Sequence, residues 1–246
     1  MEKRNFLCDE AVRRAYADAE ARFKKAKDAD RAARREMHRV SGAFFSREEF
    51  KRAEKLLPLW PEGGDEALAR LLSLHASTRE RLPLAQMDAL YDRLLALCGR
   101  PRQVLDLACG LNPIYLAARG VSVLGMDAHL GAVELVNRFA EANGLDARAI
   151  ACDLRTQPLD GRRFCLALAF KLLPLLGQDG YALLERINAS YVAVSFPTRT
   201  LGGRSVGMAR SYAQAFEANC PAKYAIFERF EAQNELIYVL KEREHG

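Results

Sequence analysis

The sequence predicts an α/β protein with a doubly wound, mostly parallel sheet, a C-terminal antiparallel hairpin and a small helical domain before the sheet. Beyond residue 101, short apolar runs alternate with segments of helical spacing, which is typical of parallel strands joined by crossover helices. After Pro221, two apolar runs are separated by a short polar segment, which favours a hairpin. The first sixty residues carry helical patterns and predict the leading domain.

The first helical segment runs from Ala11 to Ala33. It is rich in Ala, Arg, Lys and Glu and contains no Gly or Pro, so no residue in it is expected to break a helix. Apolar side chains recur in it at helical spacing, at Val12, Ala15, Tyr16, Ala19 and Phe23. We therefore expect helix throughout this segment.

A second helical segment lies between two groups of turn residues. The dipeptide Ser41-Gly42 marks a break, and Ser46, followed by two glutamates, is typical of a helix N-cap. The turn-rich stretch Pro58–Gly64 predicts a boundary. We expect a helical domain over residues 1–64 and a second domain over residues 65–246.

A further helical stretch, Asp65–Leu97, leads into the sheet. The predicted strands are Val104–Ala108, Val121–Asp127, Ala147–Asp153, Phe164–Phe170 and Tyr191–Phe196. The helices predicted between them are Tyr115–Arg119, Ala132–Asn143 and Tyr181–Asn188. The strands of the terminal hairpin are predicted at Tyr224–Phe230 and Leu236–Leu240.

Bulk composition excludes several classes of protein. The 246 residues, 50% of them apolar, are enough for one large core or for a core with a small accessory domain. No run of about 18 apolar residues exists, and the charged N-terminus does not resemble a signal peptide, so we expect no membrane span. Six cysteines without a CxxC pair and four dispersed histidines predict reduced thiols, a cytoplasmic location and no metal site.

The net charge of +5 lies wholly in the first quarter of the chain. Residues 1–60 carry 16 basic and 11 acidic residues, whereas residues 61–246 carry 21 of each. A solvated helix face would explain this excess, and so would a surface that binds a polyanion. Charge alone leaves both explanations open.

Three predicted strands end in or beside a carboxylate, at Asp106, Asp127 and Asp153. In an open parallel sheet, ligands bind at the carboxyl ends of the strands, near the point where strand order reverses. Gly110 lets the backbone turn tightly and approach a ligand. Asp127, about 20 residues past this turn, can accept both hydroxyls of a ribose. Asp153 can accept from an exocyclic amine such as adenine N6, and Leu154 offers an apolar contact to the base.

The loop after the first predicted strand distinguishes two classes of cofactor. A dinucleotide fold needs GxGxxG to hold a pyrophosphate at a helix N-terminus. Here a single glycine, Gly110, precedes Leu111-Asn112-Pro113, so the loop favours S-adenosylmethionine in a Rossmann-like sheet. Cys109 has no base near it in the sequence, and we interpret it as structural.

Several longer motifs together resemble one family. They are LLSLHASTRERLP (71–83), VLDLACGLNPI (104–114), FKLLPLL (170–176), SFPTRTLGGRSVGM (195–208) and ELIYVL (235–240). The run MHRVSGAFFS (37–46) is similar to the N-terminal domain of the same family, so the resemblance covers nearly the whole chain. That family is the 16S rRNA (guanine-1405-N7) methyltransferases, which give resistance to aminoglycosides.

The resemblance implies a site for S-adenosylmethionine, with S-adenosylhomocysteine as product. The residues it assigns to this site are His75, Arg79, Ala108, Gly110, Asp127, Asp153, Leu154, Phe170 and Gln178. In this assignment Arg79 faces the cofactor carboxylate, Asp127 binds the ribose and Asp153 the adenine. The structural alternative is that Arg79 only pairs with Glu80 or Asp106, and that Phe170 is a core residue.

The resemblance also implies the reaction. Guanine N7 has a lone pair and no proton to lose, so the protein has to position the base and needs no general base. The positioning candidates are Lys171, Arg199 and Arg204, which can bind phosphates or the guanine O6 edge, and Met208 is assigned to RNA contact. Val206 departs from the family pattern, because a lysine is usual in this loop.

The implied partner is 16S rRNA in the assembled 30S subunit, with no role for DNA or a membrane. The cations expected to dock it are Lys24, Lys25, Lys27, Arg31, Arg34 and Arg35. Folded RNA is recognised mostly through shape and phosphates, which suits a basic helical domain. The implied outcome is resistance to 4,6-disubstituted deoxystreptamine aminoglycosides. The alternatives are methylation of another decoding-site nucleotide, a small-molecule acceptor, or a non-catalytic protein that binds RNA or cofactor.

Overall fold

A computed structural model describes residues 6–42, 44–99, 103–198 and 208–243. Its main feature is a seven-stranded sheet with the order β3-β2-β1-β4-β5-β7-β6. The strands are β1 (Gln103–Leu107), β2 (Ser122–Asp127), β3 (Ala147–Ala151), β4 (Phe164–Phe170), β5 (Ala189–Pro197), β6 (Tyr224–Ala232) and β7 (Glu235–Glu242). All seven strands predicted from the sequence are confirmed, with ends that differ by one or two residues.

The sheet is mostly parallel, as predicted. Strands β1 to β5 pair in parallel, while β7 pairs antiparallel with both β5 and β6. Strand β1 is the topological switch point, because the chain turns to β2 and β3 on one side and crosses to β4 and β5 on the other. The carboxyl ends of β1, β2 and β4 therefore meet at one edge, where such sheets bind ligands.

Helices cover both faces of the sheet. Those from residue 47 onward are α3 (Arg47–Leu56), α4 (Gly64–Leu72), α5 (Ala76–Arg79), α6 (Leu84–Leu97), α7 (Asn112–Ala118), α8 (Leu130–Asn143), α9 (Leu173–Leu176), α10 (Gln178–Arg186) and α11 (Met208–Asn219). Because side chains alternate along a strand, Val104 of β1 faces a core built with α4, α6, α7 and α8. Its neighbour Leu105 faces a second core, built with α9, α10 and α11.

The N-terminal helical segment is two helices, so the expectation of helix throughout Ala11–Ala33 is wrong. Helix α1 is Asp9–Arg22 and α2 is Ala26–Met37, and the backbone is extended at Phe23 and Lys25 between them. The break has a physical reason, because folding α2 back on α1 buries small side chains that one long helix would expose. These side chains are Ala15, Ala19, Ala29 and Ala33.

The chain then passes through a π-helical turn, His38–Gly42, at the predicted Ser41-Gly42 break. Ser46 caps α3 as predicted, and with Glu49 it forms a complete capping box. Helix α3 packs on the sheet core through Ala53. The division of the chain at residue 64 stays a prediction, and the packing of α3 crosses it.

Two further differences concern helices. The predicted stretch Asp65–Leu97 is three helices, α4 to α6, separated by the turns at Ser73–His75 and Glu80–Pro83. Helices α9 and α11 lie outside the helical segments predicted from the sequence.

Among the described residues, no helix is long and apolar enough to cross a membrane.

Candidate active site

The turn after β1 is a strained loop that packs against His75. Ala108 and Gly110 both have positive φ, +53° and +51°, and the backbone N–H of Ala108 donates to Met126 O at 2.8 Å. A Cβ on Gly110 would lie 2.5 Å from Cε1 of His75. The loop therefore requires glycine at position 110 for both conformation and space. Burial raises the pKa of the Cys109 thiol in this loop, which fits a structural role.

Asp127, at the end of β2, is held by two backbone amides. Its Oδ2 accepts the N–H of Gly110 and its Oδ1 accepts the N–H of His129, each at 2.8 Å. The side chain is half-buried and lines a cavity at the strand ends. Since each oxygen keeps a free lone pair, this carboxylate can accept the two hydroxyls of a ribose.

His75 is a buried, neutral imidazole beside the same cavity. Burial is the main cause that lowers its pKa to about 3, followed by electrostatic interaction with His129 and with the cations Arg81, Arg79 and Lys171. Its Nδ1 is buried without a hydrogen-bond partner among the described residues. An unpartnered buried polar atom is costly, so this nitrogen is a candidate ligand contact.

His129 is a second cavity-lining histidine, which the sequence analysis missed. It caps α8, since its Nδ1 accepts the N–H of Ala132 at 3.1 Å, and its Nε2 lies 3.2 Å from Phe45 O. Phe6 stacks on the ring at 5.2 Å. One indication of this role was present in the sequence, because His129 follows the strand-end acid Asp127 by two residues and immediately precedes a helix.

Asp153 and Leu154 lie just beyond the end of β3, and both are buried. Oδ2 of Asp153 accepts a hydrogen bond of 2.6 Å from Nε of Arg14, a residue of α1 that the sequence analysis did not select. Oδ1 accepts the backbone N–H of Arg155 at 3.2 Å. The carbonyl of Leu154 accepts from the guanidinium of Arg186.

The end of β4 brings Phe170 and Lys171 to the cavity wall. Lys171 has a positive φ of +53°, and its backbone N–H donates to Ser195 Oγ at 3.0 Å. Its ammonium forms salt bridges with Glu80 and with Glu235, the latter at 3.3 Å. Lys171 is therefore an ion-paired residue of the site wall and not an isolated surface cation.

Behind Lys171 lies a buried ion pair that the sequence analysis also missed. Nε of Arg81 donates to Oε1 of Glu235 at 2.8 Å, and both side chains are 2% exposed. Burial alone would raise the pKa of Glu235, but Arg81 and Lys171 more than offset it, and the pKa is lowered. The guanidinium of Arg81 also lies 4.6 Å from the Phe170 ring centroid. Arg81 and Glu235 both lie inside motifs on which the family resemblance rests, and this was the one indication in the sequence that they belong to the site.

Asp106 points into the core below the turn and does not line the cavity. Its Oδ2 accepts from Nδ2 of Asn112 at 2.7 Å, and Oδ1 of Asn112 accepts from the Tyr91 hydroxyl at 2.6 Å. Burial raises the pKa of Asp106 to about 7. Its role is to anchor the start of α7, on which the turn rests.

Five residues assigned to the cofactor site do not line this cavity, namely Arg79, Gly110, Asp153, Leu154 and Gln178. Arg79 is 53% exposed, and its guanidinium lies 3.7 Å from Glu49 and 3.4 Å from Ser73 O, so it does not face the cavity. Its partner is neither Glu80 nor Asp106. Gln178 is exposed at the start of α10 and is not a lining residue.

Part of the predicted RNA loop lies outside the described residues, namely Arg199, Arg204 and Val206. Met208 is the first residue of α11, and only its backbone is described. The basic candidates near α2 are all exposed: Lys24, Lys25, Lys27, Arg31, Arg34 and Arg35. Arg34 pairs with Asp30, and Arg35 lines a groove of about 360 Å³ between α1 and α2.

The polar groups at and beside the cavity fit S-adenosylmethionine. The turn at Gly110, the carboxylate of Asp127 and the unpartnered nitrogen of His75 offer it close backbone approach and polar contacts. The cavity itself is about 60 Å³, smaller than the roughly 300–1,000 Å³ typical of ligand sites. Val40, Ser41 and Phe44, which precede α3, line the cavity together with the strand ends.

Comparisons with known proteins find relatives that match nearly the whole chain. A 16S rRNA (guanine(1405)-N(7))-methyltransferase of Serratia marcescens is 41% identical over 240 residues, which cover 96% of this chain and 92% of that protein. The crystal structure of the 16S rRNA methyltransferase RmtF with S-adenosyl-L-homocysteine superimposes with a TM-score of 0.89 at 45% identity, covering 97% of this chain and 92% of that one. The 16S rRNA methylase RmtB superimposes with a TM-score of 0.84 at 37% identity, over 99% and 94% of the two chains.

A comparison with models of protein families gives the same result. Residues 4–239 match the model of the ribosomal RNA methyltransferase family FmrO. The match spans the helices before the sheet, the strand-end site and nearly all of the terminal hairpin. The resemblance seen in the motifs is thereby confirmed, and the chain belongs to the FmrO family of ribosomal RNA methyltransferases.

Proposed function

We propose that this protein transfers the methyl group of S-adenosylmethionine to N7 of guanine 1405 in 16S rRNA and so confers resistance to 4,6-disubstituted deoxystreptamine aminoglycosides. The observation that carries the proposal is the carboxylate of Asp127, which accepts the backbone N–H groups of Gly110 and His129 and lies beside the buried, unpartnered Nδ1 of His75. The chain that contains this arrangement belongs to a family of ribosomal RNA methyltransferases.

The cofactor supplies a methyl group that is already activated by its positive sulfur. The work left to the protein is to bind it and to orient the acceptor. In the proposal Asp127 accepts the ribose hydroxyls, Asp153 accepts from the adenine amine, and Leu154 contacts the base. Ala108 and Gly110 bring backbone close to the methionine portion, next to His75.

Guanine N7 carries a lone pair and no proton, so transfer to it needs no general base. Burial lowers the pKa of both cavity-lining histidines, His75 and His129. Both are therefore weak bases, which is compatible with a reaction that removes no proton from the acceptor. We assign the positioning of the guanine to Lys171, whose ammonium has three N–H groups. Two of them can serve Glu80 and Glu235, which leaves one for the O6 edge or a phosphate.

Docking is proposed to involve the assembled 30S subunit, and thus to take place in the cytoplasm. The exposed cations of α2 and the groove beside them supply a basic surface for RNA phosphates. Arg199, Arg204 and Met208 are proposed to complete the RNA-binding surface on the acceptor side.

The test is incorporation of labelled methyl groups into purified particles. With 30S subunits we expect one methyl group per particle, and none with 50S subunits. An Asp127→Asn variant should lose both incorporation and binding of S-adenosylhomocysteine, because the amide replaces an oxygen acceptor with a donor. Cofactor binding without any transfer to 30S subunits would favour the small-molecule or binding-only alternatives.

A further inference from the structure

Arg14 of α1 reaches across the molecule to the end of β3. Its Nε donates to Oδ2 of Asp153 at 2.6 Å, although the two residues are 139 positions apart. The side chains are 13% and 5% exposed, so this is an ion pair largely removed from water. Asp18, one turn along α1, lies 3.3 Å from Nη1 and orients the guanidinium from the other side. The guanidinium of Arg14 is thus fixed by two carboxylates, Asp153 at Nε and Asp18 at Nη1.

Helix α1 is itself fixed to the loop that follows Asp127. The N–H of Cys8 donates to Ala128 O at 2.9 Å, and the N–H of Leu130 donates to Phe6 O at 2.7 Å. Leu7, Cys8 and Ala11 form a small cluster that packs against Ala128 and Ala151. The first helix is therefore attached beside both acids of the cofactor site, at the end of β2 and at the end of β3.

We propose that Arg14 is a positioning residue of the cofactor site, so that the basic N-terminal helices complete the adenine subsite as well as dock RNA. This rests on the proposed function, in which Asp153 accepts from adenine N6. Arg14 occupies Oδ2, and a charged hydrogen bond of this kind has a defined direction. Among the described residues, Oδ1 accepts one long bond of 3.2 Å, from the N–H of Arg155, and in this proposal it is the oxygen that accepts from the amine.

The consequence is selectivity for a 6-amino over a 6-oxo purine. A carboxylate held in one orientation accepts from an amine and repels a carbonyl oxygen, whereas a freely rotating one discriminates less. If Arg14 only balanced a buried charge, its loss would reduce the free energy of unfolding and leave this selectivity unchanged.

The experiment is calorimetric titration of the full-length protein with S-adenosylhomocysteine and with its 6-oxo analogue, S-inosylhomocysteine. For Arg14→Gln we expect about tenfold weaker binding of S-adenosylhomocysteine, the lower end of the loss seen when the residue that orients a metal ligand is removed. The ratio of the two affinities should shrink. Arg14→Lys, which keeps the charge and loses the fork, should lie between Arg14→Gln and the wild type.

The matched control is Arg13→Gln. Arg13 is on the same helix, its side chain is 73% exposed, and it pairs with nearby Glu10. Arg13→Gln therefore removes one positive charge from α1, as Arg14→Gln does. We expect both affinities to stay within about twofold of wild type. In an Asp153→Asn background, Arg14→Gln should have little further effect, because the two residues act as one unit.

The outcomes separate this proposal from the proposed function. If Asp153→Asn weakens S-adenosylhomocysteine binding but Arg14→Gln and Arg14→Lys leave the affinity ratio unchanged, the role of Arg14 is wrong and that of Asp153 stands. If Asp153→Asn changes neither affinity, the adenine assignment fails, and the Arg14 proposal fails with it. Should Arg14→Gln not fold, the affinity ratio of Arg14→Lys decides alone.

Discussion

The backbone N–H of Gly110 donates a hydrogen bond of 2.8 Å to Oδ2 of Asp127, joining the turn after β1 to the end of β2. This bond crosses the two strands at the switch point of the sheet, where ligands of such folds bind. It fixes the carboxylate of Asp127 to the backbone turn, with the ring of His75 packed against the turn.

Replacement of Gly110 by alanine should abolish tight cofactor binding. The new methyl group would lie 2.5 Å from the His75 ring, and an L-residue at positive φ costs about 1–2 kcal/mol. We expect at least a tenfold loss of affinity for S-adenosylhomocysteine, measured by calorimetry. Gly144→Ala is the matched control, since Gly144 has a similar φ of +62° with open space around it. It should lose stability alone, and equal binding losses in both variants would contradict the steric account.

Two buried groups should give opposite pH dependence of stability. The pKa of His75 falls from 6.5 to about 3, so the unfolded state binds the extra proton, and this group's stabilisation is lost as pH falls below 6.5. The pKa of Asp106 rises from 3.8 to about 7, so the folded state binds the extra proton, and its contribution is lost as pH rises above 3.8. Between about pH 4.5 and 6 the two contributions nearly cancel.

Single variants should expose each slope. Relative to wild type, Asp106→Asn should make the free energy of unfolding increase with pH by about 1.4 kcal/mol per unit over this range, and His75→Gln should shift the slope by the same amount in the opposite direction. Urea unfolding at pH 4.5, 5.25 and 6 measures both. A slope that does not respond to either buried variant would show that these groups titrate normally.

Removing the carboxylate of Glu235 should destabilise the fold strongly. Glu235→Gln leaves the buried guanidinium of Arg81 and the ammonium of Lys171 without their shared anion, and breaking such a pair costs about 3–5 kcal/mol. Glu228→Gln removes a carboxylate from the next strand whose partner, Arg93, is half exposed, and should cost less than about 1 kcal/mol. Similar losses in the two variants, measured by urea unfolding, would refute the importance of the buried network.

The cations at α2 should control docking to the ribosomal subunit. A triple variant of Lys24, Lys27 and Arg31 to alanine should weaken 30S binding and reduce the slope of log affinity against log salt by about 1 for each phosphate that is no longer neutralised. The matched triple variant changes Arg148, Arg163 and Lys241, which lie at the opposite edge of the sheet, near the starts of β3, β4 and β5. A salt slope that is equal in wild type and both variants would exclude docking through α2.

Much of the fold follows from local patterns. The strands were predictable because buried apolar runs and their turn residues lie close together in sequence, and Asp127 and Gly110 were predictable because strand ends meet at one edge of a parallel sheet. The break between α1 and α2 was not, because it depends on the packing of alanines against each other and has no Gly or Pro to mark it.

The contacts at the site that the sequence did not reveal have a related cause. Arg14 and Asp153, like Arg81 and Glu235, come together from positions 139 and 154 residues apart, which no local pattern reveals. The structure turns Arg81 inward and leaves Arg79 half exposed. Sequence does not reveal this difference, because α5 ends at Arg79 and helical spacing does not apply beyond it.

Site mapping on the ribosomal RNA tests the central claim most directly. Wild-type 30S subunits are incubated with the protein and S-adenosylmethionine, the RNA is cleaved with borohydride and aniline at N7-methylguanine, and primer extension locates the break. The account predicts one new stop, reporting methylation at guanine 1405, that is absent with Asp127→Asn. Methyl incorporation that maps to another nucleotide, or to an atom that resists this cleavage, would contradict it.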